Sequence, residues 1–172
     1  MHLTQTLQED HHRLVGLFRQ YEAARIRTPQ MRPGIIRELI MELQIHHCLM
    51  REILCPELRS VSVLEVKPVL EESARTQDDI EMLLDQVAKS GDDPARQDEL
   101  LFEVIETAQR QFEVEQRVLF PEAERRLASS AEKMRLAMQE RRKALLKEPK
   151  FRGAHPKLVQ NPSGGEQSRK VS

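Results

Sequence analysis

The chain has 172 residues, 32% of them charged, a formal net charge of −1, six glycines, one tyrosine and no tryptophan. That length allows one domain with a sizeable core, and that composition suits packed helices rather than a β-sandwich. Two cysteines, Cys48 and Cys55, exclude a disulfide framework, and no stretch approaches the ~20 apolar residues of a membrane span.

Apolar residues recur with the 3.6-residue period of a helix over four stretches. The first, about residues 3–26, aligns Leu3, Leu7, His11, Leu14, Phe18 and Tyr21. Pro29, Pro33 and Gly34 break it, as turn formers do. The second, about 34–58, aligns Ile36, Leu39, Leu43, His46, Met50 and Ile53. The third, about 66–89, aligns Leu70, Gln77, Ile80, Leu84 and Val87. The fourth, about 95–128, aligns Leu101, Val104, Ala108, Gln111, Glu115 and Val118. Asp93 and Pro94 before it read as a cap and a first helical position. Pro56 and Pro121 fall late in the second and fourth stretches, where a proline kinks a helix or closes its last turns.

A fifth helix is expected over about 130–147. Beyond Pro149 the composition turns to Pro, Gly, Ser and Lys and reads as a disordered tail. Short connections make successive helices antiparallel neighbours. The expected fold is therefore all-α: an up-down-up-down four-helix bundle over 1–128, a basic C-terminal helix over 129–148, and a tail over 149–172.

Three further features bear on setting and partners. Seven residues of helix would hold the cysteines roughly 10 Å apart, too far for a bridge, so they read as reduced thiols. The segment from Met1 to His12 lacks the apolar core of a secretory signal, and the expectation is a cytoplasmic protein. From Ser129 onward there are 11 lysines and arginines against 4 acids, so that segment carries +7 and the remainder −8. No aromatic interleaving accompanies the basic charge, which argues against nucleic acid and leaves a solvated tail, with or without a protein partner.

The sequence also repeats itself. His46 through Pro56-Glu57 and Gln111 through Pro121-Glu122 share an ending, aliphatic-Leu-x-Pro-Glu, and a polar residue ten positions before the proline. His11 and Gln77 stand in the same relation, 66 positions apart against 65 for His46/Gln111 and Pro56/Pro121. Two helical hairpins thus contribute half a polar layer each. Burying one polar group costs a few kcal/mol unless it is bonded. Five at one level, His11, His46, Gln77, Gln111 and Glu115, imply mutual hydrogen bonds, water or a metal. His12, His47, Glu52, Glu57 and Glu122 read as outward-facing, Met50 as core filler, and neither cysteine shows partners that would activate it.

Asp10-His11-His12-Arg13-Leu14 with Phe18, His46 through Pro56, and Gln111 through Pro121 together resemble the hemerythrin-like, HHE cation-binding family over about residues 3–128. The resemblance implies a four-helix bundle holding two irons. One takes histidines from the first two helices, the other from the last two, and carboxylates four residues after the histidines of helices two and four bridge them. The chain departs from that pattern at three places: Gln77 and Gln111 replace histidines of one iron, and Met50 replaces a bridging glutamate. It resembles a degenerate member. His11, His46 and Glu115 remain, and two histidines with one carboxylate form a coherent mononuclear set; Gln77 and Gln111 are weak ligands or hydrogen-bond partners of Glu115. The resemblance implies non-haem iron, with manganese or zinc as alternatives, and a setting of dioxygen, nitric oxide, iron or redox sensing rather than catalysis. Two alternatives stand beside it: a metal-free bundle serving as a structural or protein-interaction domain, and a small metalloenzyme acting on peroxide or oxygen.

Overall fold

A computed structural model describes residues 2–151, and among these there is no strand. Helix α1 spans Gln5–Arg27 and α2 spans Arg32–Leu49. A π turn over Met50–Leu54 carries α2 without a break into α3, Cys55–Val61. Helix α4 spans Lys67–Lys89 and α5 spans Pro94–Val114. A second π turn over Glu115–Leu119 runs on into α6, Phe120–Arg126. Helix α7 spans Ala131–Leu146. The described residues thus form five helical rods, with α1 packed on α2, α4 on α5, and α7 against both α1 and α2.

Local chemistry accounts for the ends. Asp93 caps α5 by accepting from the Arg96 N–H at 3.1 Å, which satisfies a donor that the first helical turn leaves open. Glu124 of α6 accepts from the backbone N–H groups of Leu3 at 3.2 Å and Thr4 at 2.8 Å, so the start of α1 is tied to the end of the α5–α6 rod. Leu7, Leu14 and Tyr21 are fully buried along α1, as is Leu3 in the turn before it; each leucine so buried contributes roughly 1.5–3 kcal/mol.

The prolines act differently from the expectation of a kinked or closing last turn. Inside a helix a proline ring meets the carbonyl four residues back. Here each proline follows a turn widened by one residue, in which the Met50 carbonyl accepts from Cys55 N–H and the Glu115 carbonyl from Phe120 N–H. That extra residue lets the rods continue past Pro56 and Pro121, and it advances the buried face by one position. Leu54 and Leu119 are therefore buried, whereas Ile53 is only half-buried and Val118 is exposed, a correction to the expected stripes.

Two apolar clusters form the core, one around Leu7, Ile45, Leu54 and Leu119, the other around Leu14, Leu43, Ile80 and Val104. The buried polar residues His11, His46, Gln77, Gln111 and Glu115 lie along the rods between them. Pro149–Phe151 forms a 3-10 turn with Phe151 buried; the rest of the expected tail, residues 152–172, lies outside those described.

Candidate metal centre

Glu115 is the hub of the polar layer. It is the first residue of the second π turn and is fully buried. Its Oε2 lies 2.7 Å from His11 Nε2 and 2.9 Å from His46 Nε2. Its Oε1 accepts from Gln111 Nε2 at 3.0 Å. Three rods, α1, α2 and α5, thus deliver their side chains to one carboxylate. One ligand atom from each of His11, His46 and Glu115 lies within 4.8 Å of the others.

The outer edges of the rings are set as well. His11 Nδ1 lies 3.1 Å from Gln116 Nε2, and the ring stacks on Phe112 with centroids 4.1 Å apart. His46 Nδ1 points at Asp10 Oδ2 across 3.6 Å, longer than a hydrogen bond. Gln111 Nε2 also donates to Ser73 Oγ on α4.

Burial works against charge throughout the layer. It pulls the His46 ring down, but the Glu115 charge and the Asp10 and Glu115 carboxylates beside it outweigh burial and raise it to about 9. Burial likewise pushes the Glu115 carboxyl up, yet the two histidines facing it hold it well below the usual carboxylate range. Burial, reinforced by the charge on His46, holds His11 below the ordinary histidine value against the pull of Glu115. Near neutral pH the metal-free layer therefore holds one imidazolium, one neutral imidazole and one carboxylate.

Gln77 is buried in the layer but turned away from Glu115: its Oε1 accepts from Arg51 Nε at 3.1 Å, and its Nε2 has no partner. Met50 is fully buried among apolar side chains. His12 is exposed. His47, expected to face outward, is 2% exposed; its Nδ1 lies 2.8 Å from Glu81 Oε1 on α4. It sits one position off the α2 stripe, where α4 covers it. Sequence reasoning missed Asp10, Ser73 and Gln116 around the layer. Asp10 alone carried a signal, as an acid immediately before a stripe histidine.

The family model described as hemerythrin HHE cation binding domain matches residues 2–123. The chain belongs to the hemerythrin HHE cation-binding family. No curated protein and no solved structure matches it. As a hemerythrin-family chain it is expected to bind metal, and its donor set suits one cation: two imidazole nitrogens and a carboxylate oxygen converge in a buried position, a combination favourable to iron, manganese or zinc. Among the described residues nothing equivalent converges on the α4 side. There the Gln77 oxygen is taken by Arg51, the Gln111 nitrogen faces Glu115, and Met50 offers only a thioether. Among the described residues no helix is long and apolar enough to cross a membrane.

Proposed function

We propose that this hemerythrin-family protein holds a single non-haem metal, iron by preference, on His11, His46 and Glu115, and uses it to bind or sense dioxygen, nitric oxide, iron or redox state in the cytoplasm. The convergence of two Nε2 atoms on one oxygen of a fully buried glutamate carries the reading. When bound, such a metal supplies positions open to a small ligand. The residues around it do the orienting. Gln116 fixes His11 from its Nδ1 side, and Gln111 holds the outer oxygen of Glu115. A cleft of about 470 Å³ between α1 and α5, lined by His11, Gly16, Phe112 and Gln116 among others, gives a small molecule a route to the His11 edge. The architecture we propose is an up-down-up-down four-helix bundle through residue 128, with α7 as an additional helix docked on its first two rods. Gln77 and Gln111 act as hydrogen-bonding neighbours rather than ligands.

A second reading is favoured by a separate observation: Glu115 is already satisfied by His11, His46 and Gln111 without a metal. In that reading the layer is a metal-free network that fixes helix register. An enzymatic role on peroxide or oxygen ranks third, because the further carboxylate that faces the triad, Asp10, lies against the Nδ1 edge of His46 and away from the Nε2 that meets Glu115.

Anaerobic reconstitution with iron(II), manganese(II) or zinc(II), followed by elemental analysis, separates the first two readings. The metal reading expects a single equivalent that His46→Ala removes. No uptake of any of the three metals would establish the metal-free network.

A further inference from the structure

Helix α7 lies beyond the residues that match the hemerythrin family model, yet it reaches the rear of the metal centre. The guanidinium of Arg142 donates through Nη1 to Asp10 Oδ1 at 2.9 Å and through Nη2 to Glu42 Oε2 at 2.6 Å. Arg13 donates to the same two oxygens at 2.8 Å and 3.3 Å. Two guanidiniums and two carboxylates so close a ring across α1, α2 and α7. Asp10 and Glu42 are 1% and 0% exposed. Carboxylates buried that deeply persist only when paired, and a planar guanidinium can bond two of them at once.

The second oxygen of Asp10 has no hydrogen-bond partner, nor does His46 Nδ1. The two atoms face each other across 3.6 Å, and the far side of the His46 ring presents Nε2 to Glu115 at 2.9 Å. A continuous line thus runs from Arg142 through Asp10 and His46 to the centre. A carboxylate held against the outer nitrogen of a ligating histidine fixes the ring's orientation and raises its basicity toward a metal. Asp10 can do this only while its other oxygen is anchored.

We propose that Arg142 is a positioning residue of the metal centre: by holding Asp10 against the Nδ1 edge of His46, it makes the docking of α7 set how His46 presents Nε2. The proposal rests on His46 being a ligand only for its effect on metal affinity; the placement of the ring is a property of the metal-free protein. It assigns the basic C-terminal segment an intramolecular task. Arg141, one residue earlier, is also paired, bonding Glu52 at 2.6 Å and 3.0 Å on the first π turn, but that pair has no contact with the histidines.

The test uses the full chain and three variants, Arg142→Ala, Arg142→Lys and Arg141→Ala, with two readouts. In the metal-free protein at fixed pH, long-range nitrogen–proton NMR spectra of the histidine rings should show the His46 resonances displaced by Arg142→Ala while those of His47, held by Glu81, stay in place. Arg142→Lys keeps the buried charge but cannot fork to both carboxylates. It should displace His46 in the same direction by less, and it decides the matter if the alanine variant does not fold. Zinc titration should then show affinity about 10- to 100-fold weaker for Arg142→Ala and unchanged for Arg141→Ala. The proposal is overturned if the His46 resonances are unmoved in a folded Arg142 variant, or if Arg141→Ala moves them equally. Wild-type protein that takes up none of zinc(II), iron(II) and manganese(II) overturns the metal reading alone, since the ring resonances still decide the role of Arg142.

Discussion

The pair α1–α2 and the pair α4–α5 repeat one pattern, and they have kept different parts of it. The first pair supplies both histidines of the layer, His11 and His46, and is covered by α7 through Arg142. The second pair supplies Gln77 and Gln111 at the equivalent places, and between its helices lies an open cleft of about 870 Å³ lined by Ser73, Thr76, Thr107 and Gln111 among others. The backbone device, by contrast, is the same in both: a π turn begins 65 residues apart, at Met50 and at Glu115, ahead of Pro56 and Pro121. Backbone geometry here follows from proline sterics and the apolar stripe, so it persists whichever ligands line the layer. Chemistry is set one side chain at a time, and that is where the halves have parted.

The comparison can be broken or sharpened by substitution. The largest effect expected is complete loss of metal on His46→Ala, with metal retained on Gln77→Ala, by elemental analysis of reconstituted protein. Equal losses from both would erase the distinction between the halves. Next in size is a gain: Met50→Glu, Gln77→His and Gln111→His together should add a second equivalent, because the backbone of the second half is still in register with the first. In metal-free protein, Glu115→Ala strands the buried charge on His46 and should cost about 3–5 kcal/mol in urea unfolding. His47→Ala opens a small cavity and should cost about 2 kcal/mol while leaving metal binding intact.

The smallest effect is a pH slope in the metal-free protein. His46 is raised to about 9, so its contribution is fully present below about 6.5, the ordinary histidine value, and is lost as pH rises through about 9. His11 and His47 are lowered, chiefly by burial, so the unfolded chain takes up their protons more readily and stability falls as pH drops below about 6.5. Glu115, held low, contributes fully above the ordinary glutamate value and loses that contribution progressively as pH falls below it. Thermal melts should therefore peak near pH 6.5, with an alkaline decline that His46→Gln flattens and Gln77→Ala does not.

Much of the helical framework was legible because long amphipathic stretches announce themselves, and the 65-residue repeat aligns the polar layer in the sequence itself. The phase of the stripes after the π turns was not legible. A constant 3.6-residue period placed Ile53 and Val118 inward, and one inserted residue per turn gave those places to Leu54 and Leu119. The ring of Arg13, Arg142, Asp10 and Glu42 was hidden for another reason. Arg142 stands 132 residues from Asp10 and 100 from Glu42, and charged residues on helices read as solvated until a partner is seen. His47 was misplaced because its partner, Glu81, comes from another rod.

Anomalous X-ray scattering from crystals of the metal-loaded protein addresses the central claim most directly. The account predicts one peak per chain, bounded by His11 Nε2, His46 Nε2 and a Glu115 oxygen. Two peaks, one of them beside Gln77 and Gln111, or a single peak away from Glu115 would contradict it.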